Sequence, residues 1–194
     1  MSGPARYIAP DPLPFDRDLR KAFRSAARSE GDALVVDARP LVESRIDQWR
    51  SPVRLPDGSL LDAQQPADFG QLALIGYRIE SPNVAPGDAL DLTTYWRVTG
   101  ELVPPIAFFA HVTDNEQRIV GQYDGWGTAL RGLETGDVIV QHVRLPIKPD
   151  TAPGVYDLQL GVYSPDTMTR WPLSLPSGAS ADRVLLSPVQ VTAP

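Results

Sequence analysis

His111 and His142 are the only imidazoles in the chain, and both fall in stretches that alternate as strands do. A histidine beside a carboxylate can hold a metal or pass a proton. His111 and Asp114 are such neighbours in sequence, but an odd separation along a strand points two side chains to opposite faces. Two histidines in a chain with no cysteine cannot build a His-rich or Cys-ligated site. His111 is therefore read as a polar-face residue making a cross-strand hydrogen bond. Carboxylates are plentiful, with 24 Asp and Glu, and a pair held about 5 to 9 Å apart could hydrolyse a glycosidic bond. Most of them, including Asp57, Asp88, Asp114, Glu116, Asp150 and Asp166, sit in turn contexts, where Asp bonds its own backbone. Asp114-Asn115-Glu116 lacks the alternating acids and the distal glutamate of a calcium loop. The chain contains no G-x-S-x-G elbow, no Walker loop and no dinucleotide glycine fingerprint. No catalytic or metal-ligating residue is assigned and no cofactor is expected.

The aromatic residues suggest binding instead. Tyr123-Asp124-Gly125-Trp126-Gly127 is an irregular stretch between strands. A flat ring matches the apolar face of a pyranose, while neighbouring polar groups take its hydroxyls. With His111 and Tyr163 both pointing outward on their strands, the candidate ligand-binding residues are Trp126, Asp124, Tyr123, His111 and Tyr163. The competing reading is that Trp126, and likewise Trp171, closes an open end of the fold. Trp96 is read as core and Trp49 as the anchor of a short helix.

The elements that must position these residues are mostly strands. Residues 1–14 are proline-rich and aperiodic, an extended or disordered lead. Phe15, Leu19, Phe23 and Ala26 recur at helical spacing, with Asp16 as N-cap and an arginine-rich opposite face. Ala33–Val36 reads as a short strand, and Leu41, Val42, Ile46 and Trp49 line a second short helix. Residues 15–68 thus form a helix–strand–helix segment and linker, too small to bury its own apolar face and expected to dock on something else. From 69 to 194 the pattern has period two. Ile75, Tyr77 and Ile79 share one face. Leu90, Leu92, Thr94, Trp96 and Val98 oppose Asp91, Thr93, Tyr95 and Arg97. Ile106, Phe108, Ala110 and Val112 point inward against Phe109 and His111. Asp137–Ile147, Val155–Tyr163 and Val184–Val191 follow. Seven or eight such strands, punctuated by turns and by many of the 20 prolines, predict a mostly-β fold. The expected architecture is an antiparallel β-sandwich, immunoglobulin-like or jelly-roll-like, with a small N-terminal α/β lead-in.

Bulk properties narrow the partners. A net charge of −6 and a pI of about 4.9 disfavour nucleic acid. No apolar run approaches the length of a transmembrane helix, roughly 18 residues, and the N-terminus lacks the apolar stretch of a signal peptide.

The order of motifs from Phe69 to Tyr163 is itself informative. It runs Phe69-Gly70 to Leu74-Ile75-Gly76-Tyr77, Pro86-Gly87-Asp88, Tyr95-Trp96, Phe109-x-His111-Val112-x-Asp114, and Gln122-x-Asp124-Gly125. It continues with Gly136-Asp137-Val138, Leu145-Pro146, Pro153-Gly154-Val155-Tyr156 and Gly161-Val162-Tyr163-Ser164-Pro165. This order resembles the C-terminal extracytoplasmic β-sandwich of bacterial membrane glycosyltransferases, the protein-mannosyltransferase-like enzymes of the lipid-linked-sugar class. The stretch Glu30–Asp37 resembles the segment that follows their last membrane span. The resemblance implies an extracytoplasmic accessory domain, membrane-attached in the full-length protein, that binds glycan or acceptor or packs against the membrane domain. Sugar transfer in that class uses acids in loops between membrane helices, so no catalytic residue carries over. The alternatives are a protein-interaction sandwich that binds no sugar and a glycoside-active enzyme.

Overall fold

The computed structural model describes residues 7–8, 28–30, 33–35 and 45–193, apart from 63–64, 128–129 and 176–180. The strands in chain order are β1 (Tyr7–Ile8), β2 (Arg28–Glu30), β3 (Ala33–Val35), β4 (Ala67–Asp68), β5 (Leu72–Ile79), β6 (Asn83–Val84) and β7 (Ala89–Val98). They continue with β8 (Ala107–Thr113), β9 (Ile119–Asp124), β10 (Val138–Pro146), β11 (Gly154–Ser164), β12 (Thr169–Arg170), β13 (Val184–Leu185) and β14 (Val189–Val191). One sheet runs β1-β10-β7-β5-β4. A second runs β6-β14-β11-β8-β9, with β12 and β13 also pairing β11, and β2 and β3 pair with each other as a small third sheet. The fold is a β-sandwich, as the alternation predicts. Its long pairs are antiparallel, and two two-residue pairs, β1 with β10 and β6 with β14, are parallel.

The core lies where the two inner faces meet. Leu90, Leu92, Trp96 and Val98 of β7 oppose Phe108, Ala110 and Val112 of β8 and Leu158, Leu160 and Val162 of β11, all of them buried in one apolar cluster. Two polar residues share this interior and are satisfied there. Thr94 Oγ1 accepts the Trp96 indole N–H at 2.9 Å. Gln141 Oε1 accepts the Gly127 N–H at 2.8 Å, which ties the irregular 125–127 stretch to β10.

Three expectations are revised. Ile75 does not share a face with Tyr77 and Ile79, because the β5–β7 register shifts between Leu74 and Gly76. Leu72 and Leu74 point inward before that bulge, Tyr77 after it. The stretch Val184–Val191 is two strands, β13 and β14, rather than one. Between them the Ser187 N–H turns aside to donate to the Tyr77 hydroxyl at 2.8 Å. β7 is covered on both faces rather than one, with Thr93 and Tyr95 buried as well.

The second cover comes from the lead-in. Residues 45–49 are helical, and the Trp49 ring lies parallel to Tyr95, centroids 4.6 Å apart. Gly76 makes this approach possible: a Cβ there would sit 1.8 Å from the Trp49 carbonyl oxygen. The chain then rounds the sandwich. Ser51 Oγ donates to the Tyr77 carbonyl at 2.8 Å, and Tyr77 Oη donates to the Pro52 carbonyl at 2.9 Å. Val53 enters the core and Arg54 bridges to Leu185 of the second sheet. The border expected between 68 and 69 falls at the end of β4, whose Ala67 registers with Leu74 of β5 and Asp68 with Ala73. The expected helix from Asp16 lies outside the described residues as far as position 27, and Arg28 begins β2.

Candidate functional site

The outer face of the second sheet carries the candidate cluster. Period two places Ala107, Phe109 and His111 of β8 on that face, since Phe108, Ala110 and Val112 fill the core. Gln159, Gly161 and Tyr163 of β11 stand opposite them, and Gln122 and Asp124 of β9 flank them on the other side. His111 is cross-strand from Gln122, and Asp124 is cross-strand from Phe109. The His111 Nε2 to Asp124 contact is therefore diagonal, at 3.3 Å to each carboxylate oxygen.

Three of the five expected site residues meet here. Asp124 is the hub, touching His111 on one side and acting on the Tyr163 phenol on the other. Burial raises the Tyr163 pKa above its ordinary value, and the charge and hydrogen bond of Asp124 add to that. Burial lowers the His111 pKa; Asp124 pulls it up, and the positive charge of Arg170 opposes that pull. A neutral imidazole donating its Nε2–H to the Asp124 carboxylate fits that balance near neutral pH. Asp124 keeps a third of its side-chain surface open. Its remaining lone pairs can take ligand hydroxyls, beside the half-buried Tyr163 ring.

Tyr123 and Trp126 are placed elsewhere. Tyr123 alternates inward on β9 and stacks on Phe108 with centroids 5.7 Å apart. Trp126 packs edge-on against Trp96 at 5.5 Å and against Phe108 at 5.0 Å, closing one end of the sandwich. Its indole N–H is buried with no hydrogen-bond partner among the described residues. Trp171 packs partly buried against the core and donates its indole N–H to Ser164 Oγ at 3.0 Å.

Phe109 and Arg170 complete the cluster. Phe109 points outward yet is 1% exposed, because its ring lies over Gly161 with the Arg170 guanidinium above it, 4.4 Å from the centroid. Arg170 and Arg183 share Asp182, at 3.3 and 2.7 Å. Burial acts to raise the Asp182 pKa, but the hydrogen bonds and charges of the two arginines prevail and hold it low. The sequence does hint at Arg170. Ser164-Pro165-Asp166 is a turn signal after β11, and a tight return there sets Arg170 beside Tyr163, as the register confirms.

A second polar chain lies on the outer face of the first sheet. Thr93 Oγ1 is 3.2 Å from His142 Nδ1, and His142 Nε2 is 3.5 Å from Asp91. The residue types are those of a nucleophilic relay, but the setting does not suit one. β7 is paired on both sides, so its N–H groups are consumed by the ladders and none is left to stabilise an oxyanion. Asp91 is also tied to Arg144 at 3.4 Å. Among the described residues no group of three or more His, Cys, Asp or Glu could hold a metal ion, and no helix is long and apolar enough to cross a membrane.

No family model matches the chain, and no curated protein matches it. Among solved structures it is similar to "Crystal structure of the C-terminal domain of wzt", at 14% identity and a TM-score of 0.43, over 65% of this chain and 74% of that one.

Proposed function

We propose that this chain is a non-catalytic, extracytoplasmic β-sandwich domain that serves a membrane glycosyltransferase-like protein by binding its glycan or acceptor. The observation that carries the reading is the Asp124 carboxylate shared between His111 and Tyr163 on the outer face of the second sheet. This pairing presents acceptor oxygens, an imidazole and a phenol ring on a rigid surface, which is what a hydroxyl-rich ligand needs. The motif order from Phe69 to Tyr163 supports the connection to the glycosyltransferase class.

The test is a glycan-array screen of the purified chain with Tyr163→Ala and Asp124→Asn as paired variants. Binding to a defined set of glycans, lost in both variants while their thermal unfolding stays cooperative, is the expected result. Failure of the wild-type chain to bind any glycan would instead favour a protein-interaction sandwich. A fusion of the native gene product to alkaline phosphatase, active only outside the cytoplasm, tests the compartment.

A further inference from the structure

We infer that the glycan taken by this face is anionic, and that Arg170 is the residue that receives its charged group; this rests on the glycan-binding reading above. Arg170 combines a long ion pair to Asp182 with a stack on an aromatic ring. Its guanidinium lies on the Phe109 ring at 4.4 Å, and that ring is in turn seated on Gly161, where a Cβ would come within 2.7 Å of it. The stack fixes the plane of the guanidinium and leaves its edges for hydrogen bonding.

Among the described residues its side-chain hydrogen bond goes to Asp182. Nη1 reaches Asp182 at 3.3 Å, a long contact, while Arg183 takes the other Asp182 oxygen at 2.7 Å. The carboxylate is thus claimed more tightly by Arg183, which leaves Arg170 under-neutralised. Its side chain is 36% exposed. A carboxylate or phosphate could dock on this partly exposed guanidinium through two parallel hydrogen bonds, the geometry for which the group is shaped.

Position makes this a subsite of the same surface. Arg170 is the cross-strand partner of Tyr163, so their Cβ atoms are about 5 Å apart. A sugar ring lying against Tyr163, with hydroxyls toward Asp124 and His111, would carry its substituents within reach of Arg170. The chain's net charge is −6, so an anionic glycan gains nothing from the long-range field and must be held locally.

The experiment is calorimetric titration with three probes: trigalacturonate, its uncharged methyl ester, and mannose 6-phosphate. Each is run on the wild-type chain and on Arg170→Gln, Arg170→Lys and Tyr163→Ala. Trigalacturonate or the phosphosugar is expected to bind roughly ten- to a hundred-fold tighter than the ester, and whichever does so identifies the charged group. Arg170→Gln should erase that preference, and Arg170→Lys, which keeps the charge without the fork, should keep only part of it. Tyr163→Ala should weaken all probes that bind. Equal affinity for acid and ester, or a preference that survives Arg170→Gln, overturns the anionic assignment while leaving glycan binding standing. No binding of any probe, together with no glycan bound on the array, overturns both.

Discussion

At the residue scale the cluster depends on Gly161 and His111. A methyl group at 161 would lie 2.7 Å from the Phe109 ring carbons and 2.8 Å from the Asp182 carbonyl oxygen. The ring cannot retreat without leaving Arg170. Gly161→Ala is expected to cost about 1–3 kcal/mol by overpacking, read as a lower urea midpoint, and to weaken ligand binding through the displaced Arg170. For His111 the folded pKa lies below the ordinary 6.5, so between those two values the unfolded chain binds more protons. Stability owed to the neutral imidazole is complete above the ordinary value and is lost as pH falls through the lowered one. His111→Gln should flatten this acid-side slope, which thermal melts across a pH series would measure.

At the scale of elements, the strand pattern was legible and its interruptions were not. The alternation in β7, β8 and β11 assigns their faces correctly because each has one face in a continuous core. The bulge in β5 changes no residue type. Gly76 is its only sequence trace, and a glycine there serves equally well to admit the Trp49 backbone. The docking of residues 45–53 was legible only as a need, since an apolar stripe does not name the surface that covers it. Gly76→Ala tests that docking. A side chain 1.8 Å from the Trp49 carbonyl oxygen must push the segment off Tyr95. Faster hydrogen exchange over residues 46–53, with β8 and β11 still protected, is the expected outcome.

At the scale of the molecule, the lead-in and the two sheets share one buried cluster, to which Val53, Trp96 and Phe108 all belong. Unfolding is expected to be a single transition. Trp49→Ala should lower it by about 3–5 kcal/mol without changing the denaturant slope; a separate early transition would show the lead-in to be independent. The site was partly legible at this scale. His111, Asp124 and Tyr163 were recognised as outward-facing or loop-side polar groups, but their meeting depends on the long-range pairing of β11 with β8, as in Gln159 to His111. No local pattern encodes that pairing. Tyr123 and Trp126 carry the right chemistry and the wrong direction: strand phase turns one inward, and the hold of Gln141 on Gly127 turns the other.

The most direct measurement of the central claim is amide chemical-shift mapping by NMR on the labelled chain, titrated with the best glycan from the array. The expected shifts concentrate at residues 109–111, 122–124, 161–163 and 170, the outer face of the second sheet. Shifts gathered instead at Asp91, Thr93, His142 and Arg144 on the first sheet would contradict the assignment of the ligand face.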